Sequence, residues 1–335
     1  MGLRSTAKAV IRHLRQGLAG EFRSLASDSI LTTGQIAAWR VRSMETIVSL
    51  QDVEFSVSSQ WGQDGIVDWL IERAGIPAAL HSFVEFGVES YRVSNTRFLL
   101  QTRNWRGLIM DSGSEALPSV KADGLYWKHD LTVKQAFITR DNINDLMTSA
   151  GFTGEIGLLS IDVDGNDYWV WEAITAVNPV ICICEYNAVF GDVHPLSIPY
   201  DPHFDRSQTH FSHLYFGASI AALRALAARK GYRFVGTNLA ANDAFFVRED
   251  YAQGFVDRSV RDIQALPSKF RESRDRNGQL NYIGGLDRLQ AIVSMPVVNT
   301  ETGQQISLGD LSPIYSDAWL SNMTGGPVQP RSEQP

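Results

Sequence analysis

Apolar residues recur along this chain in two rhythms. In SSQWGQDGIVDWLIERAG, residues 58–75, Ile66, Leu70 and Ile71 fall on one helical stripe that Gly75 closes. At 82–87 the pattern tightens into an apolar run, a strand ending in Glu85-Phe86-Gly87. Ser94 and Asn95 then open a helix through Phe98, Leu99 and Leu100, and Gly107–Asp111 is a second strand. Leu125–His129 reads as a short third strand that ends at Asp130. A helix starts at Asp141-Asn142 and closes near Gly151. The run IGLLSID, 156–162, is apolar nearly throughout, which predicts a central strand buried on both faces. A helix over 167–176, a strand over 179–185 and a long polar loop over 187–215 follow. After the helical run ASIAALRALAARKG come YRFVGTN and AFFVRED, two strands so closely linked that they pair antiparallel.

Five β/α units followed by a hairpin predict an α/β fold with a mostly parallel sheet whose last strand is antiparallel. Residues 1–57 read as a helical extension and 58–250 as the β/α domain. Residues 251–320, with SVRDIQAL and GLDRLQAIV, fit a lid or a dimer arm, and the Gly/Pro/Ser-rich end, 321–335, predicts a disordered tail.

In an open parallel sheet, ligands sit beyond the carboxyl ends of the strands, where strand order reverses. Gly87 stands at the first tip and lets a ligand approach the backbone. Asp111, 24 residues on, stands at the second tip and suits the two hydroxyls of a ribose. The stretch 81–111 therefore proposes a nucleoside-containing cofactor.

Bulk composition narrows the partners. A formal net charge of −7 with no long basic patch argues against nucleic acid. No apolar run approaches the roughly 18 residues of a bilayer span. Cys182 and Cys184, two apart on one strand, face the same side and fit small core residues in a reducing compartment. The first twenty residues carry Arg4, Lys8, Arg12 and Arg15 and no acid, with Val10, Leu14 and Leu18 at helical spacing. An amphipathic helix packing on the domain or on a second subunit fits them best. A transit peptide, a membrane-surface helix and a myristoylation pattern are the alternatives. No secretory h-region with a cleavage site is present, so the expected location is the cytoplasm.

Four segments in order carry a family resemblance: SQWGQD (59–64), VEFGVES…SNTRFLL (84–100), NWRGLIMD (104–111) and LLSIDVDGNDYWVWEAI (158–174). With GASIAAL…RKGYRFVG…NDAFFVR (217–248), the chain resembles the class I S-adenosylmethionine methyltransferases, and more narrowly the FkbM type. The resemblance implies a Rossmann-like class I methyltransferase sheet of seven strands and S-adenosylmethionine as cofactor. It implies cofactor contacts at Gln63, Glu85, Gly87, Glu89, Asn95, Asp111, Asp130 and Asp162. Glu85 and Gly87 would lie beside the methionine part, Asp111 on the ribose, Asp130 near the adenine and Asp162 at the reacting centre. Gln60 and Gln63 would close over the cofactor carboxylate. The chain departs from the usual glycine-rich loop, since Gly87 is followed by Val88, Glu89 and Ser90.

A sugar hydroxyl is a poor nucleophile at neutral pH and needs a base or a metal. Asp162 and Asp164 flank the end of the fourth strand, and Glu185 and Asn187 the end of the fifth. Neighbouring strands lie about 4.8 Å apart, so these oxygens can converge on Mg²⁺ or another divalent cation. DGND is also favourable turn chemistry. His194, His203, His210 and His213 share one loop with Tyr200, Phe204 and Phe211, an expected acceptor pocket for a ring-shaped polar molecule. His194, His210 and His213 are the candidate bases beside Asp162. Trp171 fits core packing, and Tyr168 and Trp169 stay open.

The expected activity is O-methyl transfer to a sugar, glycan or glycosylated natural product by a protein free to form a homo-oligomer. A nicotinamide-dependent dehydrogenase is disfavoured, because no G-x-G-x-x-G follows the first strand. A non-catalytic interaction protein that keeps the fold is the remaining alternative.

Overall fold

Seven strands pair into the central sheet of the computed structural model, which describes residues 28–268 and 272–324. They are β1 (Ser82–Phe86), β2 (Arg106–Asp111), β3 (Leu131–Gln135), β4 (Gly154–Ile161) and β5 (Val177–Glu185). After the two-residue β6 (Leu196–Ser197), which belongs elsewhere, come β7 (Tyr232–Thr237) and β8 (Asp243–Arg248). Their order is β3-β2-β1-β4-β5-β8-β7. β1 to β5 are parallel, and β8 runs antiparallel to both β5 and β7. This is the Rossmann-like sheet of seven strands, mostly parallel with its last strand antiparallel, that the sequence led one to expect. The chain steps outward from β1 to β3 and then returns to lay β4 on the other side of β1. That reversal opens a crevice between the tips of β1 and β4.

Both faces of the sheet are buried, which is why the central strands are apolar without interruption. Val84, Phe86, Leu159, Ile161, Cys182 and Cys184 point to one face. Phe83, Leu158, Ile181 and Ile183, their alternates, point to the other. On the first face pack α6 (Ile143–Ser149), α7 (Asp167–Ala173) and α9 (Ile220–Arg229), through Met147, Trp171 and Leu223. On the second lie α2 (Gln63–Ala74), α3 (Arg97–Arg103) and α4 (Ala116–Ala122), through Trp69, Leu100 and Val120. Cys182 and Cys184 are free, buried and on the same face, as their spacing predicts.

One strand lies elsewhere than expected. Leu125–Lys128 is not β3 but a single helical turn, α5, opened by Gly124 in the left-handed region at φ 69°. β3 follows it and pairs residue by residue with β2, from Gly107–Leu131 to Asp111–Gln135. As the outermost strand it is only partly buried, so Lys134 and Gln135 hide it from an apolar-run reading.

Residues 28–42 form a helix, α1, and helix α8 spans Arg206–Thr209. The basic stretch 1–20 and the end of the tail, 325–335, lie outside the described residues. The 251–320 region is built onto the body at several points. Pro296–Asn299 and Gln305–Ser307 join β6 as β9 and β10 of a three-stranded sheet, and Ile292, Val297, Tyr315 and Trp319 enter the main core. Among the described residues, no helix is long and apolar enough to cross a membrane.

Helix α1 is anchored by charge. The buried Asp68 of α2 accepts from Arg42 Nε and Nη2 at 2.7 and 2.8 Å and from Arg103 Nε at 2.8 Å. One carboxylate thus joins three helices. Removing it strands two guanidinium groups, both partly solvated, which discounts the cost of a fully buried pair. Asp68→Ala is expected to lower unfolding free energy by about 2 kcal/mol in urea titration. A loss under about 0.5 kcal/mol, the size of an ordinary surface change, would remove this anchor from the account.

Candidate functional site

The crevice is built by three strand tips that close on one another. Gly87, at φ 70°, sits so near β4 that a Cβ there would lie 1.8 Å from the Asp162 carbonyl oxygen. Only glycine fits at such an approach. Gly87 N also donates to Met110 O of β2 at 3.0 Å. Gly87, Asp111 and Asp162 therefore share one edge of the sheet, as expected.

The loop beyond Gly87 turns without further glycines. Glu89 and Tyr91 take positive φ, 43° and 60°, conformations that L-residues adopt only when their surroundings hold them there. Asp111 holds the first by accepting from Glu89 N at 2.7 Å, and its other oxygen accepts from Gly113 N at 2.7 Å. Tyr91 is buried, with its hydroxyl 3.1 Å from Thr96 Oγ1.

Two expected cofactor residues turn out to hold this loop. Glu85 is buried and accepts from Asn95 N at 2.7 Å, Thr96 N at 3.1 Å and the Thr96 hydroxyl, so it anchors the entry to α3. Asn95 in turn donates to Ser160 Oγ of β4 at 3.1 Å. Gln63 is likewise engaged, donating to Asp243 Oδ2 at 2.5 Å and accepting from Trp61 N at 2.7 Å. Gln60 lines an open cavity instead.

Asp130 is a correction. It immediately precedes β3, so it stands at the amino edge of the sheet, opposite Gly87 and Asp111. It lies exposed, 3.7 Å from Arg106 Nε, and cannot meet an adenine bound beyond the tips. At the other end of β3, Gln135 Nε2 donates to Ser112 O and Ala136 N to Asp111 O, and the Phe137 ring is exposed. Those residues occupy the position that the misplaced third strand had given to Asp130.

Next along the edge is an acidic cluster. Asp162, Asp164 and Glu185 each bring a carboxylate oxygen within 4.8 Å of the others'. Asn187 does not join them. Its amide donates to Leu214 O and Phe216 O and accepts from Val189 N, so it fixes the start of the polar loop. The DGND turn is also real: Asp167 accepts from Val163 N at 2.8 Å and Gly165 N at 3.0 Å, and Asp164 adopts φ 53°.

Burial pushes the Asp162 and Glu185 carboxyls well above their usual range, and the neighbouring acids push them further. Arg206 opposes this. It approaches Asp164 Oδ1 at 3.2 Å, donates to His213 O at 2.7 Å and stacks on the Phe216 ring. Arg206 is a residue that the sequence reading passed over inside the loop. Glu185 Oε2 is buried without a hydrogen-bond partner among the described residues. Asp243, opposite Glu185 in the register, is pushed by burial up to about 6, while Gln63 and Asn95 pull it down.

The four histidines separate. His194 precedes β6, its carbonyl accepts from Ser219 Oγ, and its Nε2 is buried without a hydrogen-bond partner among the described residues. His203 is exposed. His210 Nδ1 lies 2.8 Å from Ser212 Oγ, and burial lowers its pKa. His213 Nδ1 lies 3.8 Å from Glu272 Oε1. None of the four lines either of two cavities beside the strand tips. A narrow one, about 30 Å³, is bounded by Glu185, Arg206 and Glu272. A wide one, about 910 Å³, is formed by residues 54–62, 239–240 and 272–282.

No family model and no curated protein matches this chain. Solved structures do. A S-adenosylmethionine-dependent methyltransferase from Clostridium acetobutylicum shares 8% identity over 56% of this chain and 92% of its own, with a TM-score of 0.35. An O-methyltransferase family protein from Burkholderia thailandensis shares 10% over 56% and 59%, with a TM-score of 0.34. TrmK of M. capricolum, in complex with S-adenosyl-homocysteine, shares 12% over 53% and 65%, with a TM-score of 0.30. The chain spans less than two thirds of the latter two.

Glu85 offers a pH test of the loop anchor. Burial raises its pKa from 4.5 to about 7, against the pull of Thr96 and Asn95. Between those values the folded state holds a proton that the unfolded chain has released. Stability therefore falls as pH rises from about 4.5 to 7 and levels off above. Glu85→Gln should flatten that part of the stability–pH curve. An unchanged slope in the variant would place the titration elsewhere.

Proposed function

We propose that this chain is a S-adenosylmethionine-dependent O-methyltransferase, assisted by a divalent cation at Asp162, Asp164 and Glu185. The observation that carries the reading is the meeting of Gly87, Asp111 and the acidic cluster along one edge of the sheet, at its switch point. The narrower FkbM-type reading rests on the sequence segments quoted above. A hydroxyl of a sugar, glycan or glycosylated natural product is the proposed acceptor.

The residues fit each task. A carboxylate has about four lone-pair positions. Asp111 uses two on backbone N–H groups, which leaves capacity for the ribose hydroxyls. Gly87 brings the tip of β1 against Asp162 of β4, which sets the edge along which the sulfonium end would pass. The donor set of the cluster is oxygen only, and the unpartnered Glu185 Oε2 sits among mutually repelling carboxylates, an environment that favours a hard cation.

S-adenosylmethionine supplies a methyl carbon already activated on sulfur, and a divalent cation lowers the pKa of a hydroxyl beside it. Bound there, the cofactor would give up its methyl carbon as the C–S bond is replaced by the new O–C bond, and the hydroxyl proton would pass to a base of this chain. His213 is our choice among the histidines, because it alone has its ring beside Glu272, which borders both cavities. Arg206 steadies the cluster's charge and holds the His213 backbone.

Asp111→Ala should weaken S-adenosylhomocysteine binding at least about tenfold in calorimetry, the usual cost of losing charge-assisted hydrogen bonds. Unaltered affinity would remove the ribose assignment. Excess EDTA, or Glu185→Gln, should lower methyl transfer at least about 100-fold with cofactor affinity retained, and Mg²⁺ should restore the chelated wild type. Full activity in EDTA would remove the cation.

A further inference from the structure

The wide cavity is unlike the polar, histidine-lined pocket expected for a sugar. Its apolar lining is Phe55, Trp61, Leu239, Ala240, Leu280 and Tyr282, interrupted by Gln60, Glu272 and Arg274 among its polar residues. Leu239, Leu280 and Tyr282 are 45%, 44% and 53% exposed, so three large apolar side chains face solvent around one concavity. Clustered exposure of this kind marks a binding surface, whereas scattered apolar residues do not. At about 910 Å³ the space is at the upper end for small-molecule sites.

The walls are held in place. The Phe55 ring packs edge-on against Phe98 at 5.5 Å. Glu54 accepts from Leu239 N, which ties one wall to the other, and Gly62 leaves room for the Glu54 side chain, where a Cβ would lie 2.9 Å from its Oε2. Tyr282 is fixed at φ 52°, a conformation rare for an aromatic residue. Of the two charged residues that this segment gives the cavity, Arg274 reaches Glu272 Oε1 with Nη2 at 3.4 Å and Gly278 O with Nη1 at 2.9 Å. This lining favours a neutral, apolar occupant.

The wide cavity adjoins the narrow one that Glu185 borders. Glu272 borders both cavities, and Ala240 of the wide one is followed directly by Ala241 and Asn242 of the narrow one. The narrow one, about 30 Å³, has room for a water or an ion but not for a ring.

We infer that the wide cavity holds the apolar ring body of the acceptor, with the hydroxyl to be methylated turned toward Glu272 and the carboxylate cluster. Among the acceptors proposed above, this selects those that carry an apolar ring system beside the hydroxyl, such as a glycosylated natural product, over a free glycan. This rests on the methyltransferase reading for the identity of the occupant as acceptor, though not for its apolar chemistry.

The full chain, with S-adenosylhomocysteine and Mg²⁺ present, would be titrated calorimetrically with 2-naphthol, 2-naphthyl β-D-glucopyranoside and methyl β-D-glucopyranoside. At least one naphthyl compound should bind at least about tenfold tighter than the methyl glycoside. Leu280→Glu and Leu239→Glu, both at exposed positions, should each abolish that preference while S-adenosylhomocysteine affinity stays unchanged. Absence of saturable naphthyl binding, equal binding of all three probes, or a preference that survives both variants would overturn the inference. A naphthyl preference that both variants abolish, in a protein that fails to bind S-adenosylhomocysteine, would keep the apolar cavity and overturn the methyltransferase reading.

Discussion

The contact between Gly87 and the Asp162 carbonyl sets the geometry of everything above it. β1 and β4 are parallel neighbours whose tips come so close that a side chain on Gly87 would meet the Asp162 backbone. The approach is made possible by removing a side chain and adopting φ 70°. The tip of β1 can then lean on β4, and the loop that follows is drawn across the edge. Glu85, Asn95 and Asp111 hold that loop from below. The strain at Glu89 and Tyr91 is tolerated because each is fixed by a neighbour, Asp111 in one case and Thr96 in the other. A single glycine thus suffices where the usual loop uses several.

Charge is the second constraint. Glu85, Asp167 and Asp243 are buried carboxyls with donors aimed at them, which offset part of the cost of burial within the fold. Asp162 and Glu185 are different. Acids crowd them, and Arg206 is the cation that bears on both. An arrangement that repels itself is costly unless something positive enters it. That asymmetry, in which some buried acids are satisfied and others are left open, separates groups that hold the fold from groups available to chemistry.

Much of the fold was legible in the sequence because burial on both faces writes apolar runs. β1, β2, β4 and β5 lie where those runs lie, and the terminal hairpin follows from its short link. β3 was missed for the complementary reason. It is an edge strand with polar residues, while Leu125–His129 before it is apolar enough to mislead. That slip carried Asp130 to the wrong end of the sheet. Placement in the candidate site was legible wherever a residue sits at a strand tip, as Gly87, Asp111, Asp162 and Glu185 do. It was illegible where a role depends on side-chain partners. No pattern distinguishes an Asn187 engaged with three backbone groups from one that is free, or marks Arg206 among the loop's other polar residues.

The same distinction explains why the histidines misdirect. Four in one loop look like one pocket, but the loop is anchored at Asn187 and runs through β6 before it returns to the cluster at Arg206. Its histidines are distributed along that path, and only His213 meets a residue that borders the cavities. The large concavity is assembled instead from three segments distant in sequence, 54–62, 239–240 and 272–282. None is conspicuous alone, since two exposed leucines and a tyrosine mean little singly. Brought together around one cavity, they make an apolar surface. That cavity and the narrow one bounded by Glu185 share Glu272, so the apolar lining and the carboxylate cluster are neighbours through one residue.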